Sequence, residues 1–88
     1  MPAPASIPDA PPSGRFAGDA PALALALRMR QHRSERGLSL AEASAPAEID
    51  RSAWSRMEDA DRWVTPAVLV RIAKTLGVSP GEAITPPG

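Results

Sequence analysis

The side chains with most to offer another molecule crowd into one short stretch, Arg51 to Glu58. Asp50 before it is a good helix N-cap, and its charge suits the positive end of a helix. From there, helical spacing puts Ser52, Ser55 and Arg56 on one side, with Arg51 leading. Trp54 and Met57 fall on the other. Guanidinium and hydroxyl groups so arranged can grip a partner through charge-assisted hydrogen bonds. They cannot by themselves break bonds. Ser55 beside Arg56 and Glu58 has no histidine in register, and no nucleophile–base pair, phosphate-binding glycine loop or metal-ligand spacing occurs. With no cysteine and one histidine, His32, the sequence gives neither a disulfide framework nor a metal cluster. The expectation is a protein that is not an enzyme and takes no cofactor. The plain alternative for this face is an exposed polar surface without a partner.

A helix of two or three turns cannot hold such a face steady alone, so the flanking elements must. Ser39 with Glu42 three residues later forms the pattern of a capping box and starts a helix from Leu40 to about Ala45. Pro46 interrupts it, because proline lacks the amide donor and disfavours helix at Ala45. The helix bearing the polar face then runs from Arg51 to about Asp59. Upstream, a helix starts near Asp19 or Ala20, with Pro21 tolerated in its first turn. It runs to Arg36 and stops at Gly37. Leu25, Met29, His32 and Arg33 share its stripe, and Ala22 and Ala26 extend it with small residues. Downstream, Thr65-Pro66 opens a helix whose Leu69, Ile72, Ala73 and Leu76 give an i, i+3, i+4, i+7 stripe, closed by Gly77. Ser79 and Glu82 repeat the capping-box pattern for a last helix, Pro80 to Ile84. No alternating strand pattern appears.

Eighty-eight residues allow one small domain. Of the eleven prolines, none lies between Ala22 and Ala45. Residues 1–19 are proline-rich and poor in apolar side chains, too poor to offset the entropy of ordering. They read as a disordered or polyproline-like arm, and 86–88 as a disordered tail, leaving 20–85 as the domain. The longest apolar run, Ala20 to Leu27, is too short to span a membrane. No basic region precedes an apolar one at the N-terminus, so no secretory signal is evident. The cytoplasm is the expected compartment. Formal net charge is zero, which weighs against a strong nucleic-acid binder. Nine of the ten cations are arginine, and Arg28, Arg30, Arg33 and Arg36 cluster with only Glu35 against them.

Residues 37–58, GLSLAEASAPAEIDRSAWSRME, followed by VTPAVLVRIAKTLGVSPGEAI, resemble the lambda-repressor-like (Cro/repressor, XRE-type) helix-turn-helix family. The resemblance covers Leu25 to Ile84 without a gap. Its most specific parts are Gly37-Leu38-Ser39, Ser52-x-x-Ser55-Arg56-Met57-Glu58 and Leu69-x-x-Ile72-Ala73-x-x-Leu76-Gly77-Val78-Ser79. It implies an all-α, compact five-helix bundle carrying the disordered N-terminal arm. Helix two would cross the DNA backbone and helix three would enter the major groove. The family commonly sets an arginine late in helix one against a glutamate ending helix three, here Arg33 and Glu58. By the same resemblance Arg51, Ser52 and Arg56 are expected to contact bases, since arginine pairs bidentately with guanine. Ser39, Ser55 and Arg62 are expected to contact the backbone. Trp54 and Met57 fall at positions that are apolar in the family and are expected in the core.

Several positions depart from the family pattern. Leu40 stands where glutamine often touches a phosphate. Glu48 replaces the turn glycine, with Pro46 just before it, which points to a reshaped turn. Asp50 sets a carboxylate near where a phosphate would lie. His32 holds a spot usually aliphatic and reads as a half-buried core histidine. Trp63 either folds over the domain edge or serves a partner surface, with packing favoured.

The resulting expectation is a sequence-specific regulator of transcription that binds double-stranded DNA as a homodimer on a two-fold site. Self-association would fall to helices four and five, Trp63 or the tails, and DNA binding would place the protein on the nucleoid. The alternative is a protein-interaction module on the same fold, such as an antitoxin, anti-repressor or phage-type accessory protein. It would meet its partner through the N-terminal arm or Trp63. Zero net charge, Leu40 and Asp50 favour it.

Overall fold

The computed structural model describes residues 10–86. Helix α1, Ala20–Arg36, begins where the Asp19 carboxylate accepts from the Ala22 amide at 3.2 Å. It ends at Gly37, whose φ of 62° lets its amide turn back onto the Arg33 and Ser34 carbonyls. Its buried stripe combines Leu25 and Met29 with three alanines, Ala22, Ala24 and Ala26, so neighbouring elements approach closely. Helix α2, Leu40–Ser44, starts with both halves of the capping box: Glu42 N–H to Ser39 Oγ at 3.1 Å and Ser39 N–H to Glu42 Oε1 at 2.8 Å. A short 3-10 turn over Ala45–Ala47 follows, where Pro46 stops the α-helix.

Glu48 then takes the left-handed conformation, φ 55° and ψ 42°. The turn therefore keeps the backbone path that glycine adopts most easily, with a residue that carries a Cβ. Helix α3, Arg51–Glu58, is capped by Asp50, whose carboxylate accepts from the Ser52 amide at 2.9 Å. Helix α4, Pro66–Leu76, is capped by Thr65 and closed by Gly77 at φ 77°. Helix α5, Pro80–Ala83, carries the second capping box. No strand occurs among the described residues.

The core forms where α1, α2, α3, α4 and α5 converge: Leu25, Met29, Ala43, Trp54, Met57, Ile72, Ala73 and Ala83. Trp54 is its largest fully buried side chain. Full burial of one such aromatic side chain contributes about 1.5–3 kcal/mol or more. Leu40 packs half-buried against this core, so its apolar character serves α2 rather than any contact with a phosphate.

Contacts with the helices begin earlier in the chain than Asp19. Of the arm expected over 1–19, residues 1–9 lie outside the described residues, whereas 10–19 are ordered against the end of α3. Gly14 N–H donates to the Asp59 carbonyl and Phe16 N–H to the Ala60 carbonyl, each at 2.8 Å. Ser13 N–H reaches Asp59 Oδ1 at 3.0 Å, and Arg15 N–H reaches Asp61 Oδ1 at 3.1 Å. A Cβ added at Gly14 would overlap the backbone of Asp61, so only glycine allows this approach. Main-chain pairing holds the segment, which a count of apolar residues does not register. Of the expected tail, 87 and 88 lie outside the described residues, and Pro86 is exposed.

Candidate nucleic-acid interface

Helix α3 is fixed by its inward side. Arg33 at the end of α1 meets Glu58 through two bonds of 2.9 Å, Nε to Oε2 and Nη2 to Oε1. Both side chains are buried, and Arg33 is only 1% exposed. The indole N–H of Trp54 donates to the same Glu58 Oε2 at 2.7 Å. One carboxylate therefore binds the guanidinium fork of α1 and the core tryptophan of its own helix. Arg30 adds a second tie: its Nε donates to the Glu58 carbonyl at 2.7 Å and its Nη1 to the Ala10 carbonyl at 2.6 Å. Two of the four clustered arginines, Arg30 and Arg33, are thus buried clamps between α1, α3 and the N-terminal segment. They are not a surface patch.

The outward side of α3 presents Arg51, Ser52, Ser55 and Arg56, all exposed. Arg56 Nε lies 3.7 Å from Asp61 Oδ2, and the Asp61 amide donates to the Arg56 carbonyl at 2.8 Å. The Arg15 amide bonded to Asp61 holds its carboxyl below the usual range, helped by the charges of Arg15 and Arg56. Beside the helix runs a groove of about 310 Å³. It brings together Ser52, Arg56 and Arg62 with Trp63, Thr65 and Arg71, and it also exposes Glu48 and Asp50. Arg51, Ser55 and Ser39 are not among its lining residues. Ser39 lies exposed at the head of α2, with its oxygen engaged by the Glu42 amide.

Trp63 lies over the groove edge, partly packed and partly open. It stays 42% exposed and forms one wall of the groove. Arg71 was not singled out from the sequence. Its Nε donates to the Ala47 carbonyl at 3.0 Å, tying the turn before α3 to α4 while lining the groove. Its place between Val70 and Ile72, off the apolar stripe, was the available signal. Asp61 was also missed, because a lone loop aspartate carries no spacing pattern. No cluster of three acidic, histidine or cysteine residues able to hold a metal occurs among the described residues. No helix among them is long and apolar enough to cross a membrane.

Comparison with known proteins agrees with this architecture. A family model described as a helix-turn-helix domain matches residues 24–84. A hypothetical transcription factor from Neisseria, NHTF, superposes with a TM-score of 0.71 at 27% identity, over 93% of this chain and 88% of its own. The restriction-modification controller protein C.AhdI from Aeromonas hydrophila does so with a TM-score of 0.62 at 26% identity, over 70% and 94%. SinR, a master regulator for biofilm formation solved in complex with DNA, gives 0.59 at 27% identity, over 67% and 95%. Comparison with curated proteins gives no match. The chain belongs to the helix-turn-helix domain family, in its lambda-repressor-like, XRE-type form, and is a DNA-binding regulator rather than an enzyme.

Proposed function

We propose that the protein binds double-stranded DNA sequence-specifically, with α3 in the major groove, and regulates transcription as a homodimer on a two-fold site. The observation that carries this reading is the two-sidedness of α3. Its inner side is locked by Arg33, Glu58 and Trp54, while Arg51, Ser52, Ser55 and Arg56 are exposed on the other. A rigid helix with outward guanidiniums is what direct readout requires. Arg51, Ser52 and Arg56 would contact base edges, and Ser39, Ser55 and Arg62 the phosphates. SinR, solved with DNA, supports the reading by likeness. A single domain of this size reads a few base pairs, so two copies on a palindrome supply the rest. The cytoplasm, on the nucleoid, is the compartment in which this activity would operate.

The test is binding to duplexes selected from random sequence, measured by fluorescence anisotropy at two salt concentrations, with sedimentation to give the stoichiometry. Selected duplexes should carry inverted repeats and bind two copies, and affinity should fall with salt. No enrichment, or a flat salt response, overturns the reading. Exposed Trp63, the acidic residues Glu48 and Asp50 on the groove, and zero net charge favour a second reading. In that case the fold is a protein-interaction module, meeting its partner through Trp63 or the N-terminal arm. Stoichiometric co-purification with another protein, without any shifted DNA, would select it.

A further inference from the structure

The groove side of α3 ends in a device that the family resemblance does not supply. We infer that Asp61 is a positioning residue for Arg56, and that the N-terminal strap over 13–16 sets Asp61 in place. The inference rests on the proposed base-reading role of Arg56.

Asp61 is located by its own main chain first. Its amide donates to the Arg56 carbonyl at 2.8 Å, so the loop is in fixed register with the last turn of α3. The strap then fixes the side chain. Gly14 packs directly on the Asp61 backbone, and the flanking Gly14–Asp59 and Phe16–Ala60 bonds of 2.8 Å hold it there. Oδ1 accepts the Arg15 amide at 3.1 Å, with Arg15 Nε 3.6 Å away. Oδ2 faces Arg56 Nε at 3.7 Å. With its Nε edge turned to Asp61, the Arg56 guanidinium presents its two terminal nitrogens as the free fork. That end-on fork is one of the geometries that can span guanine O6 and N7. The ion pair alone is weak, being half-exposed on the Arg56 side. Its use is orientation: a freely rotating arginine side chain loses more rotamer freedom on docking than one already held.

The carboxylate has an opposite effect on affinity, since it repels every phosphate nearby regardless of sequence. Removing it should therefore separate two quantities. In Asp61→Asn, the carboxamide oxygen still accepts from the Arg15 amide, so the strap stays docked. Affinity for all duplexes should rise modestly. Discrimination at the base pair that Arg56→Ala relaxes should drop about two- to fivefold, the size expected of an exposed ion pair. In an Arg56→Ala background the same change should leave discrimination untouched. Gly14→Val, which pushes the strap off, should reproduce the loss of discrimination in a chain that still melts cooperatively.

The measurement is the affinity of each variant for a set of duplexes differing by one base pair. If Asp61→Asn keeps full discrimination while Arg56→Ala loses it, Asp61 does not position Arg56 and the inference is overturned. If Arg56→Ala relaxes no position, the base-reading assignment of Arg56 falls and takes this one with it. Equal losses at every position for Asp61→Asn point to a structural defect and also overturn it.

Discussion

Glu58 concentrates more of the design than any other single residue. It accepts from Arg33 twice and from Trp54 once, in a buried setting, and its carbonyl takes Arg30. Replacing it by a neutral residue leaves the Arg33 charge buried without its counter-ion. Breaking such a pair costs about 3–5 kcal/mol, a large share of the ~5–15 kcal/mol that holds a domain folded. Urea unfolding of Glu58→Ala should show a loss of that size or no folded state at all. A loss under ~1 kcal/mol would mean the pair is dispensable. Glu48 has the opposite sign. A residue with a Cβ in the left-handed region carries a strain of about 1–2 kcal/mol, and glycine gives back ~0.4–1 kcal/mol through the freer unfolded chain. Glu48→Gly should therefore stabilise the protein by roughly 0.5–1 kcal/mol, seen as a higher urea midpoint with an unchanged slope.

At the scale of the element, α1 shows both what the sequence discloses and where it falls silent. Its start at Asp19, its stop at Gly37 and its Leu25–Met29–Arg33 stripe follow from capping chemistry and period, and so do the bounds of the other four helices to within a residue or so. The burial of Arg30 does not, because a fully charged side chain is buried only when its partners are in place, and those come from Glu58 and Ala10. The docking of the strap is equally silent, since all its donors are main-chain amides, two reaching main-chain carbonyls and two the Asp59 and Asp61 carboxylates. His32 is half-buried on this helix, facing a shallow groove with Arg28, Gln31, Glu35, Arg36, Leu76 and Val78. Burial lowers its pKa below the usual 6.5, the Arg36 charge lowers it further, and Glu35 opposes both. The unfolded chain thus takes up the proton first. The contribution of His32 to stability should be complete above pH 6.5 and decline as the pH falls through that value towards the folded pKa. His32→Gln should remove this decline. Glu42 and Asp61, both held below their ordinary carboxyl values, give their own acid loss only at lower pH, below about 4.5 and 3.8 respectively. Thermal melts at half-unit pH steps would separate the two windows. An unchanged decline in His32→Gln would show that other groups cause it.

The whole molecule balances ten cations against ten anions, and that balance limits how it can hold DNA. Of its arginines, Arg30 and Arg33 are spent inside the fold. Arg51, Arg56 and Arg62 remain exposed on or beside the α3 face, against Glu48, Asp50 and Asp61 nearby. Each phosphate neutralised adds about 0.9 to the slope of log affinity against log salt. With Arg71 on the groove wall as a fourth candidate cation per copy, the slope should be no steeper than about −4 per copy, or about −7 for a pair. Non-specific binding should accordingly be weak, because its affinity comes almost wholly from this term. In the proposed reading, specificity would rest on base contacts and on the rigidity that Glu58 gives α3, not on a general attraction to the duplex. Arg62→Ala, a phosphate contact in this view, should weaken all duplexes alike and flatten the slope by about 1 per copy. Arg51→Ala should instead cost about 1–3 kcal/mol on the preferred duplex, and much less on others. A slope near −10, or equal losses from both substitutions on every duplex, would show that charge rather than readout governs binding.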